Sequence, residues 1–175
     1  MASAKTLPVV VNPLVACAAF EDDLEKVLKG RHVTFEESSW TRLHSLGLLV
    51  PIKANRTGSS EADQFYLRLE FQYYPEWPPS AQFVNPATKV YSGGNDLYWL
   101  PKIEGTDEIR THENYQGHGQ VVCSSVTLEF YKVLHDVKEH HVWKHPSQNF
   151  ASTINQIEWA LSSPHYSGRF RELPA

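Results

Sequence analysis

Two stretches of the chain, residues 20–29 and 147–162, repeat apolar residues at the spacing of an amphipathic helix. Gly30 follows the first stretch and Pro164 the second, and both residue types end helices. A weaker pattern of the same kind runs through residues 125–138. The sequence therefore predicts one helix near the N-terminus and two in the C-terminal third. The apolar residues that share a face are Phe20, Leu24, Val27 and Leu28 in the first helix and Phe150, Ile154, Ile157 and Leu161 in the last.

Between these helices, apolar and polar residues alternate, which is typical of half-buried strands. Residues 64–73 show the clearest alternation, and shorter apolar runs at 46–54 and 81–84 are also predicted as strands. Pro51 places the first of these runs at a sheet edge or a bulge. The prolines within residues 74–79 must interrupt the pairing, because proline has no N–H to donate to a ladder. The pattern therefore predicts an antiparallel meander.

Helices and strands occupy separate parts of the chain, so the predicted fold class is α+β. The glycine-rich segment 85–122 between them is predicted as a long irregular loop, and no internal repeat is visible. At 175 residues the chain is predicted to form one domain, 1–175. Residues 1–19 are predicted as an N-terminal arm that packs onto this domain. The packing residues of the arm would be Val9, Val10, Val11, Leu14 and Val15.

Composition removes several classes of function. The 16 Lys and Arg residues are outnumbered by 20 Asp and Glu, so the net charge of -4 provides no basic field for nucleic acid. Two cysteines, Cys17 and Cys123, are too few for a disulfide scaffold. No apolar run reaches the ~18 residues that a membrane span needs. Residues 14–17 mimic a lipoprotein cleavage box but lack the positive start and unbroken apolar centre of a signal peptide. A cytoplasmic protein without membrane or nucleic-acid partners is therefore predicted.

Cys123 is the stronger candidate for chemistry of the two cysteines. It follows residues 117–122, where two glycines allow the backbone to approach a reacting group closely. His112 and Asn114 lie shortly upstream, and a neutral amide can donate a hydrogen bond to an oxyanion without titrating. A nucleophilic thiol needs thiolate character and such a donor. The alternative is that Cys123 is a small buried apolar residue, which is the commoner role of a lone cysteine.

The histidines form a second group that could in principle bind a metal ion. His141 and His145 are four residues apart, but Pro146 argues against a helix that would place both on one face. No His-Glu-x-x-His or Cys-x-x-Cys motif accompanies them. We therefore predict no metal site. The histidines concerned are His112, His118, His135, His140, His141 and His145.

Several short motifs occur in an order that resembles the ubiquitin-conjugating enzyme family. After the alternating strand come Tyr74-Pro75-Glu76-Trp77-Pro78-Pro79 and Phe83, and then His112-Glu113-Asn114. Gly119-Gln120-Val121-Val122-Cys123 follows, and Trp143-Lys144-His145-Pro146 opens the last amphipathic helix. The family has a Tyr-Pro-x-x-Pro-Pro turn after a meander strand, a His-Pro-Asn motif ahead of its nucleophilic cysteine, and a Trp-x-Pro segment before a helix. The resemblance covers residues 46–164 and is closest to divergent bacterial members that accompany activating enzymes in antiphage systems.

This resemblance implies a fold, an activity and a set of partners. The fold would have an N-terminal helix, an antiparallel meander, a long active-site loop and C-terminal helices. Cys123 would accept a modifier's C-terminus as a thioester from an activating enzyme and pass it to an amine. The modifier would be ubiquitin-like, or the acyl group would be the C-terminus of a cyclic-nucleotide synthase. No cofactor is implied, because the activating enzyme uses the ATP. The first helix would bind that enzyme through Glu21, Glu25, Lys26 and Lys29.

The chain also departs from the family pattern. Glu113 replaces the proline of the His-Pro-Asn motif, and the run 119–123 is one residue longer than in the family. Segments 84–111 and 124–142 resemble insertions. The oxyanion donor is therefore left open among Asn114, His112 and His118. Two other functions also stay open: a non-catalytic binding module of the same fold, and a metal-dependent hydrolase that uses the histidines.

Overall fold

The computed structural model describes residues 8–104, 106–133, 137–162 and 164–172. Predicted features at residues 1–7 and 134–136, including His135, lie outside this part. The helices are α1 (Pro13–Arg31), α2 (Leu128–Lys132) and α3 (Phe150–Leu161), with short 3-10 helices at Gly93–Trp99 and Glu139–His141. The strands are β1 (Thr41–His44), β2 (Gly47–Asn55), β3 (Ala62–Glu70), β4 (Ser80–Phe83), β5 (Pro101–Ile103), β6 (Arg110–His112), β7 (Val121–Cys123) and β8 (Tyr166–Arg169).

An antiparallel sheet in the order β1-β2-β3-β4 forms the centre of the fold, which confirms the predicted meander and the α+β class. The alternation in β3 buries Phe65, Leu67 and Leu69 completely. Pro51 belongs to β2 and lies opposite Tyr66 of β3. On the other side of β2, strand β1 pairs only with residues 47–49 and does not reach Pro51. Proline is tolerated there because its missing N–H would face an unpaired edge.

Helix α1 begins at Pro13, so the prediction of a helix over 20–29 behind an arm over 1–19 is wrong at residues 13–19. The side chain of Asn12 accepts a hydrogen bond from the Leu14 N–H at 2.9 Å, and Pro13 occupies the first helical position. Gly30 lies inside the helix, which ends at Arg31. The expectation that the arm packs through its apolar residues is also wrong for four of them. The exposed fractions are 70% for Val9, 57% for Val10, 81% for Leu14 and 53% for Val15.

The core lies between the sheet and helices α1 and α3. The rings of Phe20, Phe71 and Phe150 meet there, with centroids 4.0 Å apart for Phe20–Phe71 and 5.4 Å for Phe71–Phe150. The predicted helix at 147–162 is confirmed as α3, whose Asn149 cap accepts from the Ala151 N–H. The predicted helix at 125–138 is confirmed only as the single turn α2 at Leu128–Lys132. In the part of the chain that the structure describes, no helix is long and apolar enough to cross a membrane.

The segment predicted as an irregular loop, 85–122, contains a 3-10 helix and strands β5 and β6. Buried Asp96 organises its first part by accepting hydrogen bonds from the Asn85 amide at 3.0 Å and the Ser92 N–H at 2.6 Å. Buried charge needs such donors, because desolvation of an unpaired carboxylate is costly. The prediction of an irregular segment is therefore wrong for much of its length.

The hairpin β6–β7 is attached to its neighbours on both sides by side chains that bond to backbone. The Gln120 amide accepts from the Phe83 N–H at 2.6 Å and donates to the Phe83 carbonyl at 2.9 Å, at the end of β4. The Thr111 hydroxyl accepts from the Ile103 N–H at 3.0 Å and donates to the Pro101 carbonyl at 2.6 Å, in β5. Each side chain satisfies backbone groups that would otherwise be buried without partners. The hairpin is thereby fixed between β4 and β5.

Candidate functional site around Cys123

Cys123 is the last residue of β7, where the hairpin register places it opposite Arg110. His112 lies opposite Val121 in the same register. Side chains of directly opposed residues share a face of an antiparallel pair, and residues two apart on one strand share that face as well. Cys123, Arg110 and His112 therefore lie on one face of the hairpin.

The thiol of Cys123 is partly buried, and burial raises its pKa to about 11. The Arg110 guanidinium acts in the opposite direction, because a nearby positive charge favours the thiolate. At pH 7 a pKa near 11 leaves about one molecule in ten thousand as thiolate. The resting thiol is therefore protonated at neutral pH.

Arg110 is held in place by the loop that precedes β6. Its Nε donates to the Thr106 carbonyl at 2.9 Å, and its Nη2 lies 2.9 Å from Asp107 Oδ1. These bonds fix the guanidinium beside the start of β6, although half of the side chain is exposed. The motifs of the sequence did not single out Arg110. If the glycine-rich turn had been recognised as a hairpin turn, counting residues back along both strands would have paired Arg110 with Cys123.

Asn114 lies in the turn that joins β6 to β7. Its Oδ1 accepts from the Gly119 N–H at 3.1 Å, and the Tyr115 N–H donates to the Gly119 carbonyl at 2.9 Å. Gly117 and Gly119 have φ values of 87° and 76°, which glycine adopts without strain. The bond through Oδ1 orients the exposed Asn114 amide.

Two open clefts flank this turn. Cleft A has a volume of about 570 Å³ and cleft B about 430 Å³. His118 lines cleft A, His112 lines cleft B, and Asn114 lines both. The structure therefore places Asn114 in one cleft with His118 and in the other cleft with His112. Cys123 lines neither cleft, whereas its cross-strand neighbour Arg110 lines cleft B.

Two other residues of these clefts were missed as functional candidates by sequence reasoning. Glu113 lines both clefts, and Tyr91 lines cleft A with its hydroxyl 3.5 Å from the Glu113 carbonyl oxygen. Burial raises the pKa of Tyr91, and the nearby carboxylates of Glu113 and Asp96 raise it further. Tyr91 belongs to the apparent insertion 84–111, so no local motif marks it. Glu113 is visible in the sequence only as the departure from His-Pro-Asn.

The four predicted partner-binding residues of α1 are all exposed, but two of them are engaged in ion pairs. Glu21 pairs with Arg42 at 2.6 Å, and Lys26 pairs with Asp22 at 2.5 Å and Asp23 at 3.5 Å. Among the described residues, no ion pair or hydrogen bond engages the side chains of Glu25 or Lys29. These two residues are therefore the members of the predicted set that a partner can reach without breaking an existing contact.

The histidines predicted not to bind metal are dispersed in the fold. His145 Nε2 lies 2.8 Å from the Oδ2 atom of buried Asp23, which also accepts from the Tyr74 hydroxyl. The 3-10 helix containing His141 is tied to α2 through a bond from the Tyr131 hydroxyl to the His141 carbonyl. His135 and the side chain of His140 lie outside the described part. Within the described residues, no group of three His, Cys, Asp or Glu side chains could hold a metal ion.

Comparison with protein-family models, with curated proteins and with solved structures gave no match to this chain. The function is therefore inferred from the residues and their geometry.

We expect alkylation of Cys123 to follow the raised pKa of its thiol. In a Cys17→Ser background, the iodoacetamide rate constant should rise about tenfold per pH unit from pH 7 to 10, because the thiolate is the reactive form. Arg110→Ala should slow the reaction at each pH, and Arg110→Lys should restore most of the rate by keeping the positive charge. A plateau below pH 9 would show that the thiol is already activated.

Proposed function

We propose that this chain is a ubiquitin-like conjugating enzyme that carries an acyl group as a thioester on Cys123. The observation that carries the proposal is the placement of Cys123. It ends the hairpin beside Arg110, and Asn114 lies in the preceding turn, where its Oδ1 accepts a hydrogen bond from the Gly119 N–H. The α+β arrangement supports the proposal, because a helix, an antiparallel meander, a cysteine-bearing segment and a long helix follow one another in the order that the family has.

The first step of the proposed reaction is acyl exchange between two thiols. The Cys123 thiolate attacks the carbonyl carbon of a modifier's C-terminal thioester on an activating enzyme. A new C–S bond to Cys123 forms as the C–S bond to the activating enzyme breaks. The departing thiolate takes up a proton equivalent to the one that Cys123 lost. The exchange is nearly balanced in free energy, so orientation contributes most of the acceleration.

The second step passes the acyl group to an amine. A neutral amine attacks the same carbonyl carbon, a C–N bond forms, and the C–S bond to Cys123 breaks. The proton released from nitrogen returns to the Cys123 thiolate. Asn114 would donate a hydrogen bond to the oxyanion of the tetrahedral intermediate, a contribution of about 3 kcal/mol for a well-placed donor. His112 and His118 are the alternative donors, from clefts B and A.

The partners and setting are proposed from the resemblance of the sequence motifs to the family. The chain would act in the cytoplasm in bacterial antiphage defence, with an activating enzyme that uses ATP. The acyl group would come from a ubiquitin-like modifier or from the C-terminus of a cyclic-nucleotide synthase. No metal or nucleotide would be needed by this chain itself.

The test is a charging assay. The protein is incubated with ATP, ubiquitin or a bacterial ubiquitin-like modifier, and the activating enzyme of that modifier, and is then run on gels with and without reducing agent. The proposal predicts an ATP-dependent adduct that reducing agent removes. An adduct that resists the reducing agent, or no adduct with any modifier and enzyme pair, would contradict it.

A second candidate is a binding module of the same fold that holds a modifier without forming a bond. The observation in its favour is that the Cys123 thiol is protonated and lines neither cleft. Such a module would bind the modifier equally well with and without the thiol and would form no adduct. The charging assay separates the two functions.

Charge reversal at Lys29 is expected to slow charging about tenfold at low salt, with a smaller effect at high salt, because exposed interface charges act mainly on encounter. Lys26 is a poorer choice, since a carboxylate there would lie beside Asp22 and buried Asp23. The matched control is Lys53→Glu, which makes the same charge change at an exposed position of β2. Equal charging rates for the Lys29 variant and the wild type would exclude this end of α1 as the docking site.

A further inference from the structure

Strand β2 is paired along its whole length on one side and along only part of it on the other. Residues 47–55 all lie opposite residues of β3, whereas β1 pairs only with residues 47–49. Within the described part of the chain, residues 50–55 therefore form a free edge of the sheet. The hairpin that carries Cys123 is attached to β4, at the opposite end of the strand order β1-β2-β3-β4. A partner on the free edge of β2 would therefore bind apart from that hairpin.

The backbone groups of Lys53 and Asn55 point toward this free edge. The Tyr66 carbonyl accepts from the Val84 N–H at 3.0 Å, so the backbone groups of Tyr66 face β4. The pair of Tyr66 and Pro51 is therefore one without mutual hydrogen bonds, which suits a residue that has no N–H. Bonded and non-bonded pairs alternate along an antiparallel ladder, so Lys53 and Asn55 also direct their N–H and C=O groups away from β3. No hydrogen bond engages these groups among the residues that the structure describes.

A groove of about 600 Å³ lies at this free edge, and we call it the edge groove. The loop after α1 and the C-terminal end of α3 form its walls beside β2. Its lining residues are Ser38, Ser39, Pro51, Ile52, Lys53, Asn55, Gln64, Glu158 and Ser162. The groove therefore leaves room beside unpaired backbone donors and acceptors, which are the groups that an added strand needs.

The charge available in the edge groove is positive. Glu158 is already paired with Arg31 at 3.0 Å, whereas the exposed Lys53 side chain has no ion pair or hydrogen bond to any described residue. A second copy of this chain is a poor occupant, because pairing two such edges about Lys53 would place two ammonium groups opposite each other. An acidic side chain opposite Lys53 would instead form a favourable cross-strand pair. Charge complementarity therefore favours an acidic segment of another protein.

From these observations we infer that the free edge of β2 binds an extended peptide segment of a partner protein, with an acidic residue opposite Lys53. The segment adds a strand to the sheet, and its backbone exchanges hydrogen bonds with Lys53 and Asn55. The Pro51 carbonyl can accept one further bond, but the ladder ends there because proline has no N–H to donate. This binding involves neither Cys123 nor a thioester, so the inference does not rest on the proposed function.

The test is an NMR titration of the protein without any acyl group. The probe is the peptide acetyl-TVTETVT-amide, and its control is acetyl-TVTKTVT-amide, which has lysine at the central position. We expect saturable shifts of the Lys53 and Asn55 amides with the glutamate peptide, and binding of the lysine peptide about tenfold weaker. In the free protein, the Lys53 amide should exchange with solvent faster than those of Ile52 and Ala54, which face β3. The glutamate peptide should slow the exchange at Lys53.

Two variants separate the contributions of charge and backbone. Lys53→Glu should reverse the preference between the peptides, whereas Lys138→Glu, the same charge change at an exposed position outside the edge groove, should preserve it. Asn55→Pro removes an N–H that faces the edge and keeps Lys53, so it should weaken binding while the strand still forms, as β2 does at Pro51.

Three results would overturn the inference: no saturable binding of the glutamate peptide, equal binding of the two peptides, or an unchanged preference in Lys53→Glu. Shifts of the Lys53 and Asn55 amides that depend on protein concentration in the absence of peptide would also overturn it, because a second copy of the chain would then occupy the edge. Peptide binding without adduct formation would contradict only the proposed function, and an adduct without peptide binding would contradict only this inference.

Discussion

Alanine in place of Cys123 should eliminate the reductant-sensitive adduct, a loss of at least about two orders of magnitude in charging. A thioester needs a sulfur atom, and Cys17 is poorly placed to supply one. It lies in α1, where it packs against the core, whereas Cys123 ends the hairpin beside Arg110. Because Cys123 is only partly buried, its replacement should change the free energy of unfolding by about 1 kcal/mol.

Cys17→Ser is the matched control for this prediction. It removes the other thiol and should leave the adduct intact. Circular dichroism and thermal unfolding of both variants check that each is folded. An adduct that survives Cys123→Ala would show that another residue carries the acyl group, and the mechanism would be wrong.

Alanine at Asp23 should destabilise the protein by about 3 kcal/mol, because removing one partner from a buried polar network leaves the others unsatisfied. The carboxylate of Asp23 accepts from Tyr74, which is completely buried, and lies 2.8 Å from His145 Nε2. The network joins α1, the turn after β3 and the segment before α3. A nearby bond, from Trp143 Nε1 to the Pro75 carbonyl at 2.9 Å, joins the last two of these.

Thermal unfolding measures this effect. For a chain of this length, a loss of 3 kcal/mol lowers Tm by about 6–12 °C. The matched control is Asp22→Ala, the exposed neighbour, which should change the free energy of unfolding by less than about 0.5 kcal/mol. Equal effects of the two substitutions would show that the buried contacts of Asp23 contribute nothing to stability.

Periodicity in the sequence predicted the central elements well. Strand β3 and helix α3 each present one apolar face to the core, so their patterns are strong. The N-terminus of α1 was missed because residues 1–19 were predicted as an arm, and Asn12 and Pro13 were not considered as the start of a helix. In the structure they are the N-cap and the first helical residue. The N-cap and first-turn proline of a helix were therefore visible in the sequence. The burial of Asp23 could also have been predicted, because its spacing places it on the same helix face as Phe20 and Val27.

The architecture of residues 85–122 could not be predicted from the sequence in the same way. Its strands have three residues each, too few for a period to show. They are held by bonds between residues distant in sequence, such as those from Gln120 to Phe83 and from Thr111 to Pro101. Such contacts leave no local pattern. The two clefts and the position of Tyr91 depend on them.

The candidate site was predicted in part. Cys123 and Asn114 were chosen as candidates from motifs that are local in sequence, and the structure places Asn114 at both clefts. The raised pKa of Cys123 depends on burial by residues elsewhere in the chain, which no motif encodes. The pairing of Arg110 with Cys123 follows from the register of the hairpin. To predict it from the sequence, one would first have to locate the turn of this hairpin.

The most direct measurement is peptide mapping by mass spectrometry of the charged protein, quenched at low pH before reduction. The proposed function predicts that the modifier's C-terminal acyl group is found on Cys123, in wild-type protein and in Cys17→Ser alike. An acyl group on Cys17, on a lysine or on the N-terminus, with Cys123 unmodified, would contradict it.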